Sequence, residues 1–145
     1  IEADELTSIA IEARARYFMM EARWSEAVTD LRAALARTMV PLGVHLDLAR
    51  SYAKLQMWRE CARSVLAARD VDPDATAIEI VSVVGPFWES PAAAEKGVQF
   101  FKLLAREWPD QWWIHANWAD LGRVLKRPAL VAQQKKIAES LKGAK

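Results

Sequence analysis

Apolar residues recur at helical spacing along nearly the whole chain, and no stretch alternates apolar and polar positions as a half-buried strand would. The pattern predicts eight helices in four antiparallel pairs. The first pair runs from about Glu2 to Ala22 and Ser25 to Arg37, and the chain turns through Met39–Gly43 with Pro41 as a stop. The second takes about Val44 to Gln56 and Arg59 to Arg69, closed by Asp72-Pro73-Asp74. Thr76-x-x-Glu79 has the form of a capping box opening a fifth helix. That helix should fail near Gly85-Pro86, where proline removes a donor and crowds the preceding turn. Ser90-Pro91 reads as an N-cap with proline at the first helical position, and Trp108-Pro109-Asp110 ends the sixth helix. The seventh spans about Gln111 to Lys126, and Pro128 opens the eighth, which runs to about Leu141.

The helices are not independent of one another. Ala27-x3-Leu31-x2-Ala34 returns as Cys61-x3-Val65-x2-Ala68, Trp24-Ser25-Glu26 as Trp58-Arg59-Glu60, and Phe18 as Tyr52, all at a spacing of 34 residues. The spacing then stretches to 36 and 37, as Leu48 becomes Val84 and Leu121. A period of this length marks helical hairpins that bury their apolar faces against neighbouring copies.

On these residues the chain resembles the tetratricopeptide repeat family, with its W-x2-L-G-x2-Y, A-x3-F, A and P pattern. The second repeat matches best, through Leu48-Ala49-x2-Tyr52, Cys61-x3-Val65, Ala68 and Pro73. The third offers Val84-Gly85-x2-Trp88, Gly97-x3-Phe101 and Pro109, and the fourth Trp118-x2-Leu121-Gly122-x2-Leu125 and Ala132. The first keeps Ala15-x2-Phe18 and Ala27-x3-Leu31 but has Arg14 where an apolar residue is expected. The resemblance implies an all-α fold, a right-handed α-solenoid of about four repeats (8–41, 42–75, 78–111 and 115–145) forming a single domain over 1–145. It also implies that Ala49, Gly85 and Gly122 sit where two helices cross, with Phe18, Tyr52, Trp88 and Leu125 filling the gaps beside them. Pro86 falls inside the third first-helix and predicts an irregularity there, and the last pair has a shortened turn.

Composition adds limits. About half of the 145 residues are apolar and the formal net charge is +1, which gives no overall pull toward nucleic acid or a membrane surface. The charge is uneven: Glu2, Asp4, Glu5 and Glu12 open the chain without a base, while Arg123, Lys126, Arg127, Lys135, Lys136, Lys142 and Lys145 face only Glu139 after Gly122. A lone cysteine, Cys61, excludes an internal disulfide and suits a reducing compartment, the cytoplasm. No apolar run reaches the roughly 18 residues of a membrane span, so membrane insertion is not expected. The chain begins at Ile1 and reads as an excised domain or processed product.

No metal or cofactor site and no catalytic constellation is expected. His45 and His115 have no second His or Cys at ligand spacing, there is no phosphate loop, nucleophile elbow or HExxH, and Cys61 takes a packed small-residue position. The family shares an architecture rather than an activity. The expectation is therefore a non-enzymatic protein-interaction module.

The resemblance implies that first-helix residues line a concave groove: Ile9, Glu12, Arg16, Met19 and Met20, then Gly43, Leu46, Arg50, Ala53 and Lys54, then Glu79, Ser82 and Glu89, then Ala116, Ala119, Arg123, Lys126 and Arg127. Arg16, Met20, Arg50, Lys54, Arg123 and Arg127 are the candidate partner-binding residues. Arg16, Arg50 and Arg123 align with one another, and such a row could grip carboxylates of an acidic peptide. An exposed arginine is as readily bonded to a carboxylate of its own chain. A clamp for acidic chaperone tails is not expected, since Arg16 and Asp47 stand where that clamp needs asparagines. One helix cannot bury all of Trp108, Trp112, Trp113 and Trp118 on a single face. Partial burial in a tryptophan-rich core is the leading expectation, and an exposed one serving as an interface anchor is the alternative. Nucleic acid, held by the basic end with Trp113 and Trp118, is disfavoured by the near-neutral charge. Alternative functions are a self-assembling structural protein or homo-oligomer joined acidic start to basic end, a secretion chaperone, and an accessory domain of a larger enzyme.

Overall fold

The computed structural model describes residues 3–144. Glu2 lies outside the described residues, as do the side chains of Asp4 and Glu5. The fold is all-α: the described residues form nine α-helices and one 3₁₀ turn, with no strand. They are α1 (Ala3–Met20), α2 (Trp24–Leu35), α3 (Leu42–Lys54), α4 (Trp58–Val71), α5 (Pro73–Glu79), α6 (Val81–Val84), the 3₁₀ turn Gly85–Trp88, α7 (Pro91–Glu107), α8 (Trp112–Val124) and α9 (Pro128–Gly143). Two compact units divide the chain between Val83 and Val84.

In the first unit α1 packs on α2, α2 on α3, α3 on α4 and α4 on α5. Its core is built of small and branched side chains: Ala15, Ala27, Leu31, Val44, Leu48, Cys61 and Val65 are all buried. Such residues let helices approach closely, which is why the small positions of the two hairpins coincide in the 34-residue register. Arg14, the departure in the first repeat, is explained by a partner on α2. Its Nε and Nη2 each donate to a carboxylate oxygen of buried Asp30 at 2.7 Å, so an ionic fork replaces an apolar contact.

In the second unit Phe87 of the 3₁₀ turn meets Phe100 and Phe101 of α7, with ring centroids 5.4 and 6.1 Å away. Helix α7 packs on α8 and α8 on α9. Ser90 caps α7 as expected, its hydroxyl accepting from the Ala93 N–H at 3.1 Å with Pro91 at the first helical position.

The fifth helix departs from the sequence reading. Its N-cap is Asp72, which accepts from the Ala75 N–H at 3.0 Å, with Pro73 in the first turn. Thr76 is therefore inside the helix rather than capping it, and its hydroxyl donates to the Asp72 carbonyl. Asp72-Pro73 both stops one helix and starts the next. The helix is interrupted at Ile80 into α5 and α6, and it gives way to the 3₁₀ turn at Gly85-Pro86, as expected, because Pro86 cannot continue α-helical bonding. Gly85 is exposed, and a Cβ there would meet nothing within 4 Å. The close crossing falls instead to Gly97, where a Cβ would lie 2.6–2.9 Å from Leu121 and Phe87.

A second correction concerns the last pair. Helices α3 and α8 are both 13 residues long and start seventy residues apart, at Leu42 and Trp112. Each ends in the same turn. Ala22 after α1, Gln56 after α3 and Lys126 after α8 all have positive φ of 56–58°. In each turn the next N–H reaches back five residues: Arg23 to the Phe18 carbonyl at 2.8 Å, Met57 to Tyr52 at 2.9 Å, Arg127 to Gly122 at 2.9 Å. This is the Schellman closure of a helix C-terminus. It sets Tyr52 against Gly122, three residues from the register that aligned Leu48 with Leu121. Burial agrees, since Val44 matches Ile114, Ala49 matches Ala119, Ser64 matches Gln134 and Ala68 matches Ala138, all buried. The last turn is thus of the same length as the others, and not shortened. Three residues are nearly one helical turn, which is how a W-x2-L-G match can sit on the right face in the wrong register.

Candidate docking surface on helices 8 and 9

The candidate arginines fall into two environments. In the first unit Arg16 lies 3.9 Å from Glu12 and 3.8 Å from Asp47, while Arg50 donates to Asp47 at 2.7 Å and also to Glu79. Glu12, Arg16, Asp47, Arg50 and Glu79 thus alternate in charge from α1 through α3 to α5. Each arginine reaches a carboxylate on the following first-helix, and the row is neutralised from within. Lys54 lies with its Nζ 5.9 Å from the Trp24 ring centroid. Met20 is 85% exposed and Met19 half-buried. The structure brings Arg16 and Arg50 together around Asp47.

Arg123 does not share their place. In the corrected register its counterpart on α3 is Ala53, and the position of Arg50 is taken by Asp120. Arg123 donates to Asp120 at 2.5 Å, and the other carboxylate oxygen accepts from the Trp88 indole N–H at 2.8 Å. Arg127 is bonded to Glu95.

Helices α8 and α9 with their turn carry six basic residues against Asp120 and Glu139. Lys126, Lys135, Lys136 and Lys142 have no carboxylate within ion-pair distance among the described residues. Between the two helices lies an open cleft of about 240 Å³. Trp112, Ala116, Ala119 and Ala138 give it an apolar floor, and Arg123, Lys135, Lys142 and Glu139 surround them. The Lys142 Nζ stands 4.5 Å from the Trp112 ring centroid, a cation–π contact across the cleft. A shallower hollow of about 430 Å³ opens at the α8–α9 turn, beside Lys126, Arg127 and Val131.

None of Trp108, Trp112, Trp113 and Trp118 is exposed, in line with partial burial among tryptophans rather than a free anchor. Trp108 is buried against Trp113, with ring centroids 5.3 Å apart. Trp112, Trp113 and Trp118 are half-buried, Trp118 stacking on His115 at 5.9 Å. His115 is itself buried, and its Nδ1 lies 2.7 Å from the Gln134 side-chain oxygen. His45 is half-buried, and that burial lowers its pKa against a smaller opposing effect of Asp70. Cys61 is fully buried, which pushes its thiol far above the ordinary range. Among the described residues no group of His, Cys, Asp and Glu could hold a metal ion, and no helix is long and apolar enough to cross a membrane.

The sequence pointed to Arg123, Ala116 and Ala119 but missed α9. Lys135, Ala138 and Lys142 recur at helical spacing, which is the signal that would have joined them to the cleft. No protein-family model matches the chain, and a search of curated proteins finds no similar sequence. The class these observations define is that of an all-helical protein with a basic, apolar-floored cleft between two of its helices.

Proposed function

We propose that this chain is a non-enzymatic protein-interaction module, a right-handed solenoid of tetratricopeptide-like helix pairs that holds an acidic segment of a partner protein. The α8–α9 surface carries the reading. Its lysines lack carboxylate partners among the described residues, and they surround an apolar floor. Cations left unpaired steer and select an acidic partner, while apolar contact supplies the affinity. Arg16 and Arg50 serve mainly to order the first-helices, since binding a carboxylate there would mean displacing Asp47 or Glu79. The 34-residue register and the three equivalent turns support the solenoid. A buried lone cysteine suits the cytoplasm.

The test is partner capture from lysate of the native cell, comparing wild type with a Lys126→Glu, Lys135→Glu, Lys142→Glu variant. None of these reversals breaks an ion pair, so the variant should fold. A protein retained by wild type and lost by the variant supports the reading. Identical captures by both, or none, refute it.

Self-association is a second reading, favoured by the outer face of α1. Leu6, Ile9, Tyr17 and Met20 are each more than half exposed there. Concentration-dependent oligomers in light scattering would support it, and a monomer at every concentration and salt would dismiss it.

A further inference from the structure

The cleft between α8 and α9 has a counterpart within the same chain that is already filled. Leu46, Ala49 and Val65 of α3 and α4 correspond, at the seventy-residue register, to Ala116, Ala119 and Lys135. In the first unit those three positions are covered by the α5 region, whose Thr76, Ile80 and Val83 close over them without room for a water molecule. Arg50, on the rim of that groove, bonds to Glu79 of the covering helix. The groove between two helices of a pair is therefore built to seat a third helix with apolar residues inward and a carboxylate toward the rim.

On α8 and α9 the same groove is open, and its residues differ in two instructive ways. Alanines 116 and 138, with Lys135 in the place of Val65, leave about 240 Å³ unfilled. That volume is below the roughly 300–1,000 Å³ of sites for drug-sized ligands, but suits one or two inserted side chains. The rim cations also sit elsewhere: Asp120 takes the place of Arg50, and Arg123, Lys135 and Lys142 line the groove against Glu139. From Trp112 to Arg123 the groove extends eleven residues along α8, about 16 Å at the helical rise, or three turns.

We infer that the α8–α9 groove is the seat for an amphipathic helix of a partner protein. That helix presents bulky apolar residues at i, i+3, i+4 and i+7 to the groove floor and flanks them with Asp or Glu facing Arg123, Lys135 and Lys142. The inference rests on the interaction-module reading and names its ligand. A second copy of this chain fits less well. The described charged residues on α1 beside its exposed apolar stripe are Glu12, Arg14 and Arg16, and the carboxylate already faces Arg16. Both arginines are paired within the chain, so the described residues of α1 offer the cationic rim no free carboxylate.

The experiment titrates the whole chain with a three-turn helical peptide carrying leucines at the inward positions and glutamates beside them, followed by NMR. The expected result is saturable binding, with the Trp112 indole and the methyl groups of Ala116, Ala119 and Ala138 shifting together. Replacing the peptide's glutamates with lysine should weaken binding at least tenfold. Filling the floor by Ala116→Trp, with unchanged circular dichroism, should abolish it. A separate Lys135→Glu, Lys142→Glu variant should lose the glutamate peptide and gain the lysine one. Equal binding of both peptides, shifts confined to other residues, or binding untouched by Ala116→Trp would overturn the inference. So would self-association of the free chain that Ala116→Trp abolishes, because the occupant would then be a second copy. An acidic partner captured through the unpaired lysines yet indifferent to Ala116→Trp would leave the module reading standing without this groove. A chain that holds no acidic partner in either experiment loses both.

Discussion

Replacing Gly97 by alanine adds one methyl group inside α7, 2.6 Å from Leu121 Cδ1 and 2.7 and 2.9 Å from Phe87 Cγ and Cβ. In an ordinary helix interior this change stabilises by roughly 0.5–1 kcal/mol, because glycine loses more backbone freedom on folding. Here three heavy atoms lie inside contact distance, and two belong to the root of a buried ring that cannot swing aside. Phe87 is fully buried against Phe100 and Phe101, so moving it shifts the aromatic core. Overpacking of this kind costs about 1–3 kcal/mol. With the helix gain subtracted, the expected net loss is about 0–2.5 kcal/mol, centred near 1. For a unit of this size that lowers the melting temperature by roughly 4–8 °C per kcal/mol. The assay is urea and thermal unfolding, followed by far- and near-ultraviolet circular dichroism. Gly122→Ala is the first control, since its Cβ would meet only the tips of Val131 and Leu130 at 3.0 and 3.3 Å; the expected change is near zero. Gly43→Ala, with nothing within 4 Å, should stabilise slightly. A Gly97→Ala protein as stable as the Gly43→Ala protein would refute the assigned crossing.

Other outcomes follow from the same structure. Burial lowers the pKa of His45 below its ordinary 6.5, so the unfolded chain takes up the proton first. Stability should be full above about pH 6.5 and fall as the pH drops through that value, with His45→Gln flattening the slope in denaturant midpoints. Cys61 should resist thiol reagents in the native protein and react only at the rate of unfolding, while fast native labelling would contradict its burial. Ala22, Gln56 and Lys126 hold left-handed backbone angles without being glycine, so each change to Gly should raise stability by roughly 0.5–1 kcal/mol in chemical denaturation. Reversing Arg50 to Glu should destabilise the fold, because Asp47 and Glu79 would both face a like charge, whereas Lys135→Glu should leave the melting temperature within about 2 °C.

The helices were legible because their apolar faces are strongly periodic: α3, α4, α7 and α9 fall within two residues of the sequence reading. What stayed hidden had a physical cause in each case. Asp72-Pro73 ends one helix and caps another in the same atoms, and sequence reading assigned it only the first role. Arg14 reads as a flaw in the repeat because its partner, buried Asp30, lies across the hairpin, and an ion pair leaves no apolar signature. The arginine row was misaligned because a one-turn slip keeps residues on nearly the same helical face. Only the turn after Val124 fixes the register. The cleft needed α9, to which the repeat pattern assigns only Ala132, and pairing across two helices is not written in either one alone.

The three equivalent turns bear on how quickly this chain can fold. Each hairpin is closed by bonds spanning three to five residues, at Ala22, Gln56 and Lys126. Contacts so near in sequence form with little loss of loop entropy, so topology favours a fast-folding chain. A hairpin can close before its neighbours and then template them. Glycine at these turns should therefore act mostly on the rate of folding, with little change in the rate of unfolding, if the hairpin is already closed in the transition state. No such turn stands in the Gly85–Trp88 stretch, where a 3₁₀ segment joins α6 to α7. The last step of assembly is expected there, where closure has no local turn to direct it.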